Sequence, residues 1–211
     1  MGLTHSPKIV TSGLVLCLDA ANPRSYSGTG TTWVDLTGNG NNGTLVNSPT
    51  FSQGLFTFDG ATNYINVSGV NFATGTSTIM GAARYNGATR GRIINGLNNN
   101  WLMGHWSSTT QNYYAEGWVS AVSSGASDTN WRILTSTSNT TSPSYSLYVN
   151  GSLSVSNTNG TAGPNGLRIG AYGLGGEYST GQCGFVLAYN RILSASEILQ
   201  NYNALKSRFG L

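Results

Sequence analysis

Between residues 98 and 114 the chain concentrates side chains suited to holding a polar, ring-shaped ligand. Asn98, Asn99, Asn100, Trp101, His105, Trp106, Gln111, Asn112, Tyr113 and Tyr114 put aromatic faces and amides into one short stretch. A pyranose needs both: an apolar surface for its C–H face, and hydrogen-bonding groups for its hydroxyl rim. Asn99, Trp101, His105, Trp106, Tyr113 and Tyr114 are therefore the candidate glycan-binding residues. An alternating strand turns about half of such residues toward a core, and Trp101, followed by Leu102 and Met103, reads as partly buried. His105, beside Trp106, reads as a histidine at a rim or strand end when no ligand is invoked.

Other chemistries find less support. Glycosidases that retain or invert need two carboxylates flanking one bond, whereas Glu116, Glu177 and Glu197 are isolated in sequence and no Glu-x-Asp-x-x-Glu pattern occurs. A Ser-His-Asp triad would have to use His5 or His105, and no Gly-x-Ser-x-Gly elbow exposes a serine. Cys and His do not cluster at metal-ligand spacing. Asp35-Leu36-Thr37-Gly38-Asn39-Gly40 resembles the start of a calcium loop, making Asp35 and Asn39 the calcium candidates. The twelfth position is Val46 rather than a bidentate Glu, and a structural Asx turn is the stronger reading. Gly173-Leu174-Gly175-Gly176 lacks the GK[ST] ending of a phosphate loop and reads as a flexible loop. No enzyme activity and no cofactor is expected.

The elements that would position these residues are short and numerous. Apolar or alternating runs separated by Gly, Asn, Ser and Thr clusters predict strands over 14–18, 44–47, 55–58, 63–67, 77–84, 90–94, 101–105, 113–119, 130–136, 144–149, 152–155, 167–170 and 183–189. Asn86-Gly87 and Asn150-Gly151 predict type I′ hairpins, because both residues tolerate positive φ. Ser194-Ala195-Ser196-Glu197 is a capping box, and Ile198, Tyr202 and Leu205 recur on one face of a helix over 194–207. Residues 1–12 read as an N-terminal arm. The chain of 211 residues predicts one domain over 1–211, an all-β two-sheet antiparallel jelly-roll sandwich with a short C-terminal helix.

Composition narrows the partners. Charged residues make up only 8% of the chain, against roughly 25% in an ordinary soluble domain. The +3 net charge is spread without any basic run, so nucleic acid is excluded as a partner. No stretch approaches a membrane span, and residues 1–13 lack the basic start and apolar run of a secretory signal. A surface of amides and hydroxyls is covered by another protein or a sugar at smaller desolvation cost than one studded with Lys and Glu. Cys17 and Cys183 read as buried free thiols, with a bridge left open because first and last strands can be neighbours.

Several segments together resemble the laminin-G-like domains of the concanavalin A-like lectin and glucanase superfamily. They are Gly13 to Ala20, the Trp33-Val34-Asp35 loop through Gly43, Phe58-Asp59-Gly60 with Tyr64-Ile65, Trp131, the Leu147-to-Gly151 hairpin, Leu167-Arg168-Ile169-Gly170 and Gly181 to Leu193. The resemblance implies structural roles for Trp33, Asp35, Asp59, Gly60, Asn150, Gly151, Tyr189, Arg191 and Glu197. It also implies a tight Asp-Gly turn between two strands at 59–60. The first forty residues, with Leu18 through Tyr26 running into the Trp33 loop, are similar to bacteriophage proteins in which such a domain sits on the virion. The expected role is a non-enzymatic virion structural or accessory protein, as capsid decoration, head fibre or tail appendage. Its partners would be other virion proteins or copies of itself, with a cell-surface polysaccharide as a further partner. The alternatives are a carbohydrate-binding lectin module and an extracellular adhesion protein.

Overall fold

The computed structural model describes residues 8–211. In chain order its strands are β1 (Leu14–Asp19), β2 (Thr32–Trp33), β3 (Gly43–Val46), β4 (Thr50–Ser52), β5 (Leu55–Asp59), β6 (Tyr64–Asn71), β7 (Thr76–Arg90), β8 (Ile94–Gly96), β9 (Trp101–Trp106), β10 (Thr109–Ala115), β11 (Arg132–Asn139), β12 (Ser144–Val149), β13 (Ser152–Asn157), β14 (Asn165–Ile169) and β15 (Ser179–Tyr189), followed by α1 (Ala195–Leu205) and a 3₁₀ turn, η1 (Lys206–Phe209). Sheet A runs β13-β12-β11-β7-β15-β5-β4, with β1 also paired to β15; sheet B runs β10-β9-β8-β14-β6-β3-β2. All the pairings are antiparallel. The fold is the expected all-β jelly-roll sandwich.

Period-two alternation builds the core. Across sheet B the paired residues Tyr113, Met103, Ile94, Ile169, Ile65 and Leu45 form one inward row, and every member belongs to the buried cluster between the sheets. Sheet A answers with Val149, Leu134, Gly81, Val186 and Leu18. Gly81 is required by close approach: a Cβ there would stand 2.6 Å from Ile94 Cδ1 of the facing sheet. Each fully buried aliphatic side chain in these rows contributes about 1.5–3 kcal/mol of burial.

Sheet A buries its outer face as well. Met80, Ala82, Ile133, Phe185, Leu187 and Tyr189 point away from sheet B into a second cluster closed by Ile198, Phe209, Tyr202, Leu205 and residues Ile9 and Val10. The capping box forms as expected, with Glu197 N–H donating to Ser194 Oγ at 3.3 Å and Ser194 N–H to Glu197 Oε2 at 2.8 Å. Arg191 adds a bidentate pair to the same carboxylate at 2.9 and 2.6 Å, which holds Glu197 down to about 2. Buried Asn201 accepts from Val10 N–H at 2.7 Å and donates to the Tyr189 hydroxyl at 2.9 Å, which itself donates to Val10 O at 2.9 Å. Helix, last strand and the described part of the arm are thus joined by one closed triangle.

Several expectations change. Asn86-Gly87 makes no hairpin: both lie inside β7, neither has positive φ, and the extra residues are taken up as a bulge between Tyr85 and Arg90 opposite Gly181 and Ser179. Asn150-Gly151 is the type I′ turn predicted, with φ of 51° and 79°. The Asp59-Gly60 turn joins no hairpin but carries the chain from sheet A to sheet B. Its carboxylate accepts the N–H groups of Ala61, Thr62 and Asn63 at 2.8, 2.9 and 3.2 Å; against partial burial, which raises the acid, these bonds hold it down to about 2. Trp131 precedes β11 and packs on Phe209 outside sheet A, at 4.8 Å between rings. Cys17 and Cys183 are free thiols; they occupy opposite faces of sheet A, one in each cluster, which forbids a bridge. The strand expected over 113–119 ends at Ala115, and β2 and β4 were too short to predict.

Replacing Asn201 by Ala leaves the Val10 N–H without its acceptor and the buried Tyr189 hydroxyl without its donor, at a cost of about 1–3 kcal/mol. Urea unfolding should show that loss, and amide exchange at Val10 should accelerate; unchanged values would contradict the triangle.

Candidate functional site

The same alternation divides the aromatic stretch in two. Trp101, His105 and Tyr113 are fully buried, with Trp101 and Tyr113 in the inter-sheet core, which removes them from any ligand surface. The Asn99 amide is consumed as well, donating to Gly163 O at 2.9 Å and accepting from Asn165 N–H at 2.9 Å. Trp106 and Tyr114 point the other way, onto the outer face of sheet B, and there Trp118 joins them. The Trp118 ring lies 5.1 Å from Trp106 and 5.1 Å from Tyr114, at 53° and 69°. All three are half-buried, and among the described residues none of their polar tips has a hydrogen-bond partner. Trp118 was missed in sequence because it falls inside a predicted strand; it actually folds back as a lone bridge to Tyr114.

β9 and β10 are joined by Ser107-Ser108, with φ of 47° and 73° and Trp106 paired to Thr109. This is an I′-type turn built from serines. The outer row beside it reads Tyr114, Leu102, Asn95, Arg168, Asn66, Thr44 and Thr32 across sheet B. Residues 170–178 lie on this face rather than away from it: buried Asn95 donates to Ala171 O at 2.7 Å and accepts from Gly173 N–H at 3.0 Å. The Gly-rich segment closes on itself, Tyr172 N–H to Gly176 O at 3.0 Å and Gly175 N–H to Tyr172 O at 3.1 Å, and so presents Tyr172.

Around Tyr172 the glutamates that are isolated in sequence converge. Arg92, only 5% exposed, stacks its guanidinium 3.9 Å from the Tyr172 ring centre, pairs with Glu177 through Nε, and donates from Nη1 to Asn100 Oδ1 at 2.7 Å. Asn100 N–H in turn donates to Glu116 Oε1 at 2.7 Å. The Tyr172 hydroxyl is raised above its ordinary value chiefly by burial, with Arg92 opposing and Glu177, Glu116 and Tyr114 adding to the effect. Glu116 and Glu177 both hold positive φ, 51° and 43°, a strained backbone that persists only where surroundings over-determine it. The result is an aromatic shelf, Trp106-Trp118-Tyr114, beside a polar rim of Asn100, Glu116, Tyr172 and Glu177 backed by Arg92.

The calcium candidates are committed elsewhere. Asp35 accepts from Cys17 N–H, Thr37 N–H, Thr37 Oγ1 and Asn41 N–H at 2.9, 3.0, 2.8 and 3.2 Å, and the Asn39 amide donates to Val15 O at 3.2 Å. Asp35 with its loop is a structural Asx arrangement. Among the described residues no group of three His, Cys, Asp or Glu side chains gathers. His5 lies outside the described residues. A cleft of about 340 Å³ beside Gln53, Leu55 and Phe209 has its Arg208 held by Asp19 at 2.7 Å. No described helix is long and apolar enough to cross a membrane.

The class the architecture defines is a two-sheet antiparallel β-sandwich of jelly-roll type. No protein-family model and no curated protein matches the chain. Solved structures do. A Trypanosoma rangeli sialidase, determined with 2,3-difluorosialic acid as a covalent intermediate, superposes with a TM-score of 0.69 at 17% identity, covering 95% of this chain and 34% of the sialidase. The binding domain of Paraclostridial Mosquitocidal Protein 1 gives 0.59 at 17%, covering 91% and 52%. A botulinum neurotoxin type C structure, whose cell entry is described as dependent on two ganglioside molecules, gives 0.64 at 14%, covering 92% and 51%. The chain therefore spans about a third of the sialidase and about half of each toxin chain, and the likeness is one of fold.

His105 stands next to the end of β9, as the strand-end reading expects, but it is buried rather than placed at a rim. It sits between the sheets against Tyr85, 4.8 Å between rings, and among the described residues neither ring nitrogen has a partner; burial first, then Arg132, lowers it to about 3, with Asp128 opposing. The unfolded imidazole titrates near 6.5, so the unfolded chain binds more protons between these values, and stability, full above pH 6.5, falls toward pH 3. Glu197 and Asp128 contribute losses only below 4.5 and 3.8. Urea midpoints should therefore decline between pH 6.5 and 4.5 and decline less in His105→Phe; equal slopes would contradict this account.

Proposed function

We propose that this chain is a non-enzymatic carbohydrate-binding module whose ligand lies on the outer face of sheet B. The observation that carries the reading is the Trp106-Trp118-Tyr114 shelf, half-exposed and set against Asn100, Glu116, Tyr172 and Glu177. Aromatic faces take the C–H side of a sugar ring, and the rim supplies acceptors and donors for its hydroxyls. Arg92 is held in place by ion pair, stack and amide, so the rim is organised before a ligand arrives and little ordering cost remains. The mosquitocidal-protein binding domain and the botulinum neurotoxin type C chain share the fold, and cell entry of the latter is described as dependent on two ganglioside molecules, which supports a glycan ligand at the level of architecture.

Trp118→Ala should lower affinity for a bound oligosaccharide about tenfold or more, as loss of an aromatic anchor does, with little change in unfolding midpoint. Binding measured by calorimetry after a glycan-array screen tests this; retention unaffected by Trp118→Ala would remove the reading.

A second reading, a virion structural or accessory protein such as a capsid decoration, head fibre or tail appendage, is supported by the charge distribution. Arg92, Arg132, Arg191 and Arg208 are each in an ion pair, and residues 133–167 carry no Asp, Glu, Lys or Arg. Such a surface associates with small desolvation cost. Mass spectrometry of purified particles should find the chain, and its absence from them would end this reading.

A further inference from the structure

The electrostatics of the rim narrow the ligand class, an inference that rests on the glycan reading above. Arg92 is the cation of the site, and its charge is spent on Glu177, its face on Tyr172 and its Nη1 on Asn100. Arg168, the next cation along the same face, is held by neutral groups: Nε donates to Asn66 Oδ1 at 2.8 Å, Nη1 to Tyr172 O at 3.1 Å, and its guanidinium lies 4.2 Å from the Tyr64 ring centre. The carboxylates are not used up in the same way. Glu116 accepts one bond, at Oε1, and Glu177 is engaged through Oε2. Among the described residues Glu116 Oε2 and Glu177 Oε1 have no partner, and both glutamates are exposed.

At the rim the Arg92 charge is paired with Glu177, and each glutamate keeps one carboxylate oxygen open to solvent. The groups that face solvent at the rim are therefore acceptor oxygens, while Arg92 is buried behind them and Arg168 is turned to Tyr64, Asn66 and Tyr172 O. We propose that it selects neutral hexose-type glycans, whose hydroxyls donate to Glu116 and Glu177 while one ring face rests on Trp118, and that it rejects sugars bearing an acid group. Charge-assisted hydrogen bonds from hydroxyls to carboxylates are among the stronger polar contacts available, whereas a like charge placed against the rim is repelled.

The test compares matched probes on the full chain: lacto-N-neotetraose against the same tetrasaccharide carrying a terminal sialic acid, and galactan oligomers against galacturonate oligomers. The expected result is that at least one neutral probe binds, that its acidic counterpart is weaker by about tenfold, and that high salt narrows the gap. Glu116→Gln should weaken the neutral probe and shrink the discrimination. Acidic probes binding as well as neutral ones, with both lost in Trp118→Ala, would overturn the selectivity and leave the glycan site standing. Absence of binding by every probe, or binding indifferent to Trp118→Ala, would overturn the site itself and this inference with it.

Discussion

Contact between the inward rows of the two sheets is the constraint on which everything else depends. Tyr113, Met103, Ile94, Ile169 and Ile65 can leave water only against Leu134, Gly81, Val186 and Leu18, and because side chains alternate, fixing that inner row fixes the outer one. A slip of one residue in β10 would send Tyr114 into the core and Tyr113 to the surface. The candidate site is thus a by-product of core register: its geometry is rigid because the sandwich beneath it is close-packed.

The two sheets treat their outer faces differently. Sheet A hides its own beneath α1, η1 and residues 9–14, an apolar cover pinned by Asn201, Tyr189 and the Arg191-Glu197 pair. Sheet B carries instead a polar row of Asn95, Arg168, Asn66 and Thr44 with the aromatic shelf at one end. One face is closed by an apolar cover, and the other, apart from the 170–178 segment seated on Asn95, presents polar and aromatic side chains to solvent.

Much of the architecture was legible in sequence because it is local. Alternating runs gave most strands, Asn150-Gly151 its turn, and Ser194 with Glu197 the start of the helix. Asn86-Gly87 misled, because turn propensity yields to tertiary pairing when a long strand such as β15 offers partners on both sides of a bulge. The site was half legible. Trp106 and Tyr114 were found by density of residue type, while Trp101, His105 and Tyr113 shared that density and went inward, since composition does not carry strand phase across the Ser107-Ser108 turn. Glu116, Tyr172 and Glu177 left no local signal. They meet only because residues 170–178 fold back over β8, and that return is set by Asn95, a buried amide whose purpose is invisible without its partners.

The five tryptophans make the central claim directly measurable. In a titration with a bound oligosaccharide followed by the indole N–H resonances, Trp106 and Trp118 should shift together, while Trp33 and Trp101 in the core and Trp131 behind sheet A stay still. Shifts confined to Trp131, or spread equally over all five, would contradict a ligand on the outer face of sheet B.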